Sequence, residues 1–93
     1  MTSKEYQFKL WKNKQKSYNK LYNFSIQLLD NTLPWNDPKL NYQKRFKLWK
    51  KNYSSYLETK KIFAQQLNFT IFRNNKSLNN LEALEILYSI KKF

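Results

Sequence analysis

The sequence lacks cysteine, histidine and glycine and has only six acidic residues, and each shortage excludes a class of protein. Without cysteine there is neither a disulfide framework nor a thiolate zinc site. Without histidine or a glycine-rich loop, the usual nucleophile and base pairs and phosphate cradles cannot be built. No apolar run approaches the ~18 residues of a membrane-spanning helix. We therefore predict a protein that is not an enzyme, binds no metal or cofactor and has no transmembrane span.

Positive charge is abundant by contrast, with 18 Lys and Arg residues in a chain of 93 and a net charge of +12. Twelve of these cations and three of the acids lie in residues 1 to 53, so the basic surface is mostly N-terminal. Such a field favours a polyanionic partner, meaning nucleic acid, an acidic protein or an anionic membrane surface. It also opposes self-association, and a homo-oligomer is not expected.

The composition leaves two interpretations of that charge open. Phe, Tyr, Ile, Asn and Lys make up 47 of the 93 residues, and there are 16 Lys but only two Arg. The codons of these five residues consist mainly of A and T, which indicates an AT-rich genome such as an organellar one. The many lysines reflect either mutational drift in such a genome or selection for a polyanionic partner.

Capping and turn signals divide the chain into three helices. Thr2 with Glu5 three residues later indicates one helix start, and Asn79 with Glu82 indicates another. The pair Asp37 and Pro38 combines an N-cap residue with proline at the first helical position. With no glycine present, helix ends must be closed by Asn or must fray. We predict one all-α domain over 1–93 with antiparallel helices at 3–31, 38–73 and 80–92 and a loop at 32–37.

The predicted central helix is unusually long and carries one continuous aromatic stripe. It would span about 50 Å at ~1.5 Å per residue, longer than a compact domain of this size is wide. Phe63 and Leu67 are expected to close a small bundle, which leaves the preceding aromatics without a packing partner. Asn and Ser make residues 52–55 the weakest part of this helix, and the sequence leaves open whether the helix bends there. The predicted surface for docking a partner consists of Tyr42, Phe46, Trp49, Tyr53 and Tyr56.

The other two helices carry apolar faces of their own. In the first helix that face consists of Phe8, Trp11, Tyr18, Tyr22, Ile26, Leu29 and Leu33. In the third helix the predicted buried face consists of Leu81, Leu84, Leu87 and Tyr88. Residues 8–12 and 46–50 have the same five letters, FKLWK, although one pair of copies does not make a solenoid. Trp35 in the first loop is expected to plug the end of the bundle or to anchor a partner.

A basic edge of the central helix has two possible roles. Lys44, Lys47 and Lys51 share a side away from the aromatic stripe, with Arg45 close by. These four residues could contact phosphates or an acidic partner in a salt-dependent way. The alternative is an ordinary solvated face. No aromatic ribonucleoprotein motif or GXXG loop is present, so charge is the only sign of RNA binding.

Two short segments resemble motifs of the LYR-motif family of small mitochondrial proteins. Phe72, Arg73, Asn74, Asn75 and Lys76, followed by leucines at 78, 81, 84 and 87, are similar to the family's passage into its third helix. Leu21, Tyr22 and Asn23 resemble its first-helix motif, with Asn23 standing where the family has arginine. The resemblance covers residues 21–29 and 72–87.

This resemblance implies a three-helix accessory or assembly subunit of a mitochondrial complex, often found alongside an acyl carrier protein whose acyl chain enters the bundle. It places Leu21, Tyr22 and Phe72 in the bundle lining and Arg73 and Lys76 against an acidic partner. Our first hypothesis is therefore a non-catalytic structural subunit on the matrix side of mitochondria, resembling an LYR-type subunit of a respiratory complex and bound to other protein subunits. The alternative is an RNA-contacting protein of a mitochondrial ribosome.

Overall fold

The computed structural model describes residues 2–93, and within that range it contains three α-helices and no strand. Helix α1 spans Ser3–Asn31, α2 spans Tyr42–Asn68 and α3 spans Asn80–Ile90. A short 3₁₀ turn, Pro34–Asn36, lies between α1 and α2, and α2 continues directly into a π-helical turn at Phe69–Arg73. With this turn the central helix is 32 residues long. The all-α prediction with one long central helix is confirmed.

Two of the predicted helix starts have the expected hydrogen bonds. The Thr2 hydroxyl accepts from the backbone N–H of Glu5 at 3.2 Å and begins α1. At α3 the Asn79 side chain accepts from the Glu82 N–H at 2.8 Å, while the Glu82 carboxylate accepts from the Asn79 N–H at 3.0 Å. This is a complete capping box, which satisfies two backbone donors that the helix itself leaves unpaired.

Asparagine also closes the end of the central helix, as expected for a chain without glycine. Asn75 has φ = 56°, the left-handed conformation that glycine usually supplies after a helix. The N–H of Lys76 returns to the carbonyl of Thr70 at 3.1 Å, and the N–H of Asn74 returns to Phe69 at 3.0 Å. The central helix departs from α geometry at Phe69–Arg73, whereas residues 52–55, where the sequence left a bend open, are α-helical.

The predicted start of the second helix at Pro38 is wrong. The Asp37 carboxylate accepts from the N–H of Lys39 at 2.9 Å, and its carbonyl accepts from Leu40 at 3.2 Å, so this segment forms a turn. The helix instead begins at Tyr42, where the side chain of Asn41 accepts from the Lys44 N–H at 2.9 Å. Asx side chains stabilise turns and helix starts by the same bond, which is why the sequence signal is ambiguous.

The core lies between the C-terminal parts of α1 and α2, with α3 packed across both. Phe63, Leu29, Leu67 and Leu87 are fully buried and form its centre. The buried face of α3 differs from the prediction, because Leu81 and Tyr88 are 65% and 48% exposed. Its contact row consists of Ala83 and Leu87, with Ile86 and Ile90 packed beside them. Ala83, which the predicted face did not include, is fully buried in this row.

The molecule is a rod of 60 × 19 × 19 Å with a radius of gyration of 16.8 Å, against about 12 Å for a compact chain of this length. Contacts of Tyr22 with Phe63 and of Tyr18 with Phe72 show that α1 and α2 are antiparallel and overlap only through their C-terminal parts. No residue before Leu21 in α1, or before Tyr56 in α2, is buried in the described chain. We call residues 3–17 the α1 arm and residues 42–55 the α2 arm, and each adds about 20 Å to one end of the rod.

Within residues 2–93, no helix is both long enough and apolar enough to cross a bilayer.

Candidate docking surfaces

The α2 arm carries a ladder of aromatic rings that starts at the tip of the rod. Tyr42 is 80% exposed, Phe46 47%, Trp49 39% and Tyr53 37%. Successive ring centroids are 6.4, 6.0 and 4.9 Å apart, so the four rings form one surface. We call these four residues the α2 ladder. Their exposure agrees with the role predicted for them.

Tyr56, the fifth predicted docking residue, belongs to the core instead. Its side chain is only 9% exposed, and its hydroxyl donates a hydrogen bond to the carboxylate of Asp30 on α1. Burial raises the pKa of Tyr56 far above its ordinary value, and the bond to Asp30 raises that pKa further. Tyr56 thus joins α1 to α2 where the α2 arm meets the core. The ring of Tyr53 is tilted against that of Tyr56, with centroids 6.1 Å apart, and continues the row of rings along the arm.

Trp35 connects the core to the α2 ladder. Its ring meets Tyr56 edge-on at 5.7 Å and Phe93 at 6.1 Å, which agrees with the prediction that it plugs the end of the bundle. Its carbonyl accepts a hydrogen bond from the guanidinium of Arg45 at 2.9 Å, which holds the loop beside the α2 arm. The open groove formed there is lined by Trp35, Tyr42, Arg45, Phe46 and Trp49.

The predicted basic edge lies on the opposite side of the α2 arm from its aromatic rings. Lys44, Lys47 and Lys51 are all exposed. At ~100° per residue they are centred about 160° from the α2 ladder. Arg45 does not share their side, because it reaches back to Trp35. The structure therefore brings together three of the four predicted cations and separates them from the aromatic surface.

The residues that carry the family resemblance fall in the bundle and at its second turn. Leu21 is 4% exposed and lies in the core, while Tyr22 is half-buried and stacks on Phe63 at 5.8 Å. Phe72 is half-buried and contacts Tyr18 at 6.5 Å. Arg73 and Lys76 are exposed on the turn that follows. Burial raises the pKa of both Tyr18 and Tyr22 above the ordinary tyrosine value.

The α1 arm is a second exposed aromatic surface, and two of its rings, Phe8 and Trp11, belong to the predicted apolar face of the first helix. Tyr6 and Phe8 are each 58% exposed and Trp11 52%. The rings of Phe8 and Trp11 stack with centroids 6.1 Å apart. The signal that could have found them is the repeated FKLWK segment, since its second copy contains Phe46 and Trp49 of the α2 ladder.

Carboxylates are too sparse to form a further site in the described chain. Among residues 2–93, no three acidic side chains come together in a group able to hold a metal ion. Glu58 instead pairs with Lys92 across 3.0 Å at the surface, and Asp30 is occupied by Tyr56. The candidate binding surfaces are therefore the aromatic side chains of the α1 and α2 arms.

Comparison of the chain with family models, curated proteins and solved structures finds no match.

Proposed function

We propose that this protein is a non-catalytic accessory subunit of a larger assembly, and that the α2 arm is the surface by which it docks. The observation that carries the proposal is the α2 ladder, whose four large aromatic side chains are exposed. None of the four belongs to the buried core of the protein. A contiguous aromatic patch is costly in water and is typical of a protein interaction site.

More specifically, we propose an LYR-type subunit of a respiratory complex in the mitochondrial matrix. The positions of Leu21, Tyr22 and Phe72 in or against the bundle support this proposal, as does the exposure of Arg73 and Lys76 beside it. The two cations are well placed for the carboxylates of an acidic partner such as an acyl carrier protein. The abundance of residues whose codons consist mainly of A and T supports a gene in an organellar genome.

Such a partner would be bound mainly through its surface. An acyl chain entering the bundle would have to displace Phe63 or Leu67, both of which are fully buried. Removing either side chain from a packed core costs several kcal/mol, typically about 2–5. We therefore expect carboxylate contacts with Arg73 and Lys76 rather than insertion of an acyl chain between the helices.

The geometry favours a protein partner over the RNA alternative. A single strand that stacked its bases on Phe46 and Trp49 would have its phosphates on the wrong side of the helix for Lys44, Lys47 and Lys51. RNA could use the lysines alone, as a sequence-independent contact. That mode would leave the α2 ladder exposed to water and unexplained.

Site-specific photo-crosslinking in the native cells tests the proposal. A photoreactive phenylalanine derivative at position 49 of the full chain is expected to crosslink to protein that co-sediments with a respiratory complex. The matched control carries the derivative at position 51, on the opposite side of the same helix, and is expected to crosslink weakly. RNA captured at either position would favour the ribosomal alternative. Crosslinking at position 49 no stronger than at position 51 would rule out the α2 ladder as the docking surface.

A further inference from the structure

The repeated FKLWK segment has the same position relative to the core in both long helices. The two copies, residues 8–12 and 46–50, are offset by 38 positions. The same offset of 38 positions relates buried residues of α1 to buried residues of α2, and a buried residue after α1 to a buried residue after α2. The corresponding positions are Leu21 and Thr59, Ser25 and Phe63, Leu29 and Leu67, and Leu33 and Ile71. The α1 and α2 arms are therefore extensions of two antiparallel helices in equivalent positions. The α1 stripe has two rings, Phe8 and Trp11, because Lys4 and Gln15 stand at the positions of Tyr42 and Tyr53 in the α2 stripe.

In each arm, the aromatic stripe lies on the same side of the helix as the buried residues of that helix's C-terminal part. Trp11 precedes Leu29 by 18 residues, and Trp49 precedes Leu67 by 18 residues. Eighteen residues make five turns of an α-helix, so each tryptophan has the same angular position as a fully buried leucine. Each stripe thus continues the surface that packs against neighbouring helices in the bundle.

An aromatic pair marks the point at each end where packing inside the bundle stops. At one end Tyr18 contacts Phe72 at 6.5 Å, and at the other Tyr56 contacts Trp35 at 5.7 Å. Tyr18 and Tyr56 are themselves 38 positions apart. Beyond each pair an arm has a turn beside it, at Trp35 for the α2 arm and at residues 75–77 for the α1 arm, but no helix of the described chain lies along its stripe. What fits that place is another helix of about 14 residues, the length of the α2 arm.

The charge of the two arms indicates which kind of helix would bind beside them. The α1 arm contains five lysines and one acid, Glu5, and the α2 arm contains four lysines, one arginine and no acid. Arg45 and Lys50 flank the α2 stripe, at about 70° to either side of its centre. A partner helix with an apolar stripe and carboxylates beside it would meet aromatic rings with its apolar side chains and these cations with its carboxylates.

The same features argue against the other occupants. A second copy would bring two positively charged arms together. A nucleic acid strand stacked on the aromatic rings of the α2 arm would have only Arg45 and Lys50 beside it. The other three cations of that arm, Lys44, Lys47 and Lys51, would lie on the far side of the helix.

Resting on the docking role proposed above, we propose that the α1 and α2 arms are equivalent docking elements. Each takes one acidic amphipathic helix of a partner protein, laid along the aromatic stripe in place of the neighbour that the bundle does not supply. The protein then joins two such helices at opposite ends of its rod.

Calorimetric titration of the purified full chain tests this inference. The probe is a synthetic peptide of 15 residues with leucines at helical spacing and glutamates flanking them. We expect two peptides to bind per chain. A peptide with the same leucines but lysines for glutamates, and a scrambled acidic peptide, are each expected to bind at least about tenfold more weakly.

Matched variants assign the two sites. Phe46→Ala with Trp49→Ala is expected to remove one bound peptide, and Phe8→Ala with Trp11→Ala is expected to remove the other. The control, Lys44→Gln with Lys51→Gln, changes the opposite side of the α2 arm and should leave two sites. Thermal unfolding by circular dichroism confirms that each variant is folded.

Several results would overturn the inference: no binding of the acidic peptide, one site per chain, equal binding of the scrambled peptide, or tighter aromatic-dependent binding of poly(U) or of phosphatidylserine vesicles. One site, lost on changing Phe46 and Trp49, would refute equivalent arms but leave the docking role of the α2 arm intact. The crosslinking result at position 49 tests that role independently.

Discussion

Replacing Tyr56 with phenylalanine removes the one side-chain hydrogen bond that joins α1 to α2 within residues 2–93. The ring keeps its contacts with Trp35 and Phe93, and only the hydroxyl that donates to Asp30 is lost. A bond to a carboxylate that is partly shielded from water contributes more than a neutral one, so we expect the free energy of unfolding to fall by about 1–2 kcal/mol at pH 7. A domain of this size has about 5–14 kcal/mol in total, and the melting temperature should drop by about 4–16 °C.

The loss caused by Tyr56→Phe should depend on pH in one direction. The pKa of Tyr56 is raised in the folded protein, so the unfolded state ionises first, at about pH 10. Below that pH both states keep the proton and the contribution of the hydroxyl is complete. Above it that contribution is lost as pH rises towards the folded pKa. The difference in stability between the wild type and the variant should therefore be constant from neutral pH to about pH 9 and shrink above pH 10.

Urea unfolding followed by far-UV circular dichroism, repeated across this pH range, measures the effect of Tyr56→Phe. Lysine titration at high pH is common to both proteins and cancels in the difference. The matched control is Tyr53→Phe, one turn earlier, where the side chain is 37% exposed and stability should change by less than about 0.5 kcal/mol. The reasoning is refuted if Tyr56→Phe behaves like Tyr53→Phe, or if the difference from wild type grows with pH.

Four further substitutions test the fold. Ser25→Ala should stabilise the protein by about 1 kcal/mol, because the buried Ser25 hydroxyl has no hydrogen-bond partner; an unchanged urea midpoint would show that the hydroxyl is satisfied. Phe63→Ala should cost about 3–5 kcal/mol, whereas Phe46→Ala should cost under about 1 kcal/mol, and equal losses would contradict the division between core and arm. Asn79→Ala should cost about 1 kcal/mol through loss of the α3 capping box with Glu82, checked by thermal unfolding.

The sequence by itself determined the local features of the fold, namely the number of helices and most of their ends. Apolar periodicity identified three helices, and short-range hydrogen bonds determined their ends at Thr2 and Asn79. The absence of glycine led to closure at Asn75. These features involve residues three to six positions apart, so no knowledge of the remaining chain is needed. The start of α2 was missed because Asp37 and Asn41 offer the same kind of cap, and local sequence does not choose between them.

Only the tertiary structure decided how far the helices overlap, and with that which aromatic residues are buried. The stripe of α2 is continuous in sequence from Tyr42 to Leu67, yet burial begins at Tyr56. Periodicity shows which side of a helix is apolar, but not where along that side a neighbouring helix begins. Packing of α1 and α3 against the C-terminal part of α2 sets that limit, and it turns one aromatic stripe into a core and an exposed arm.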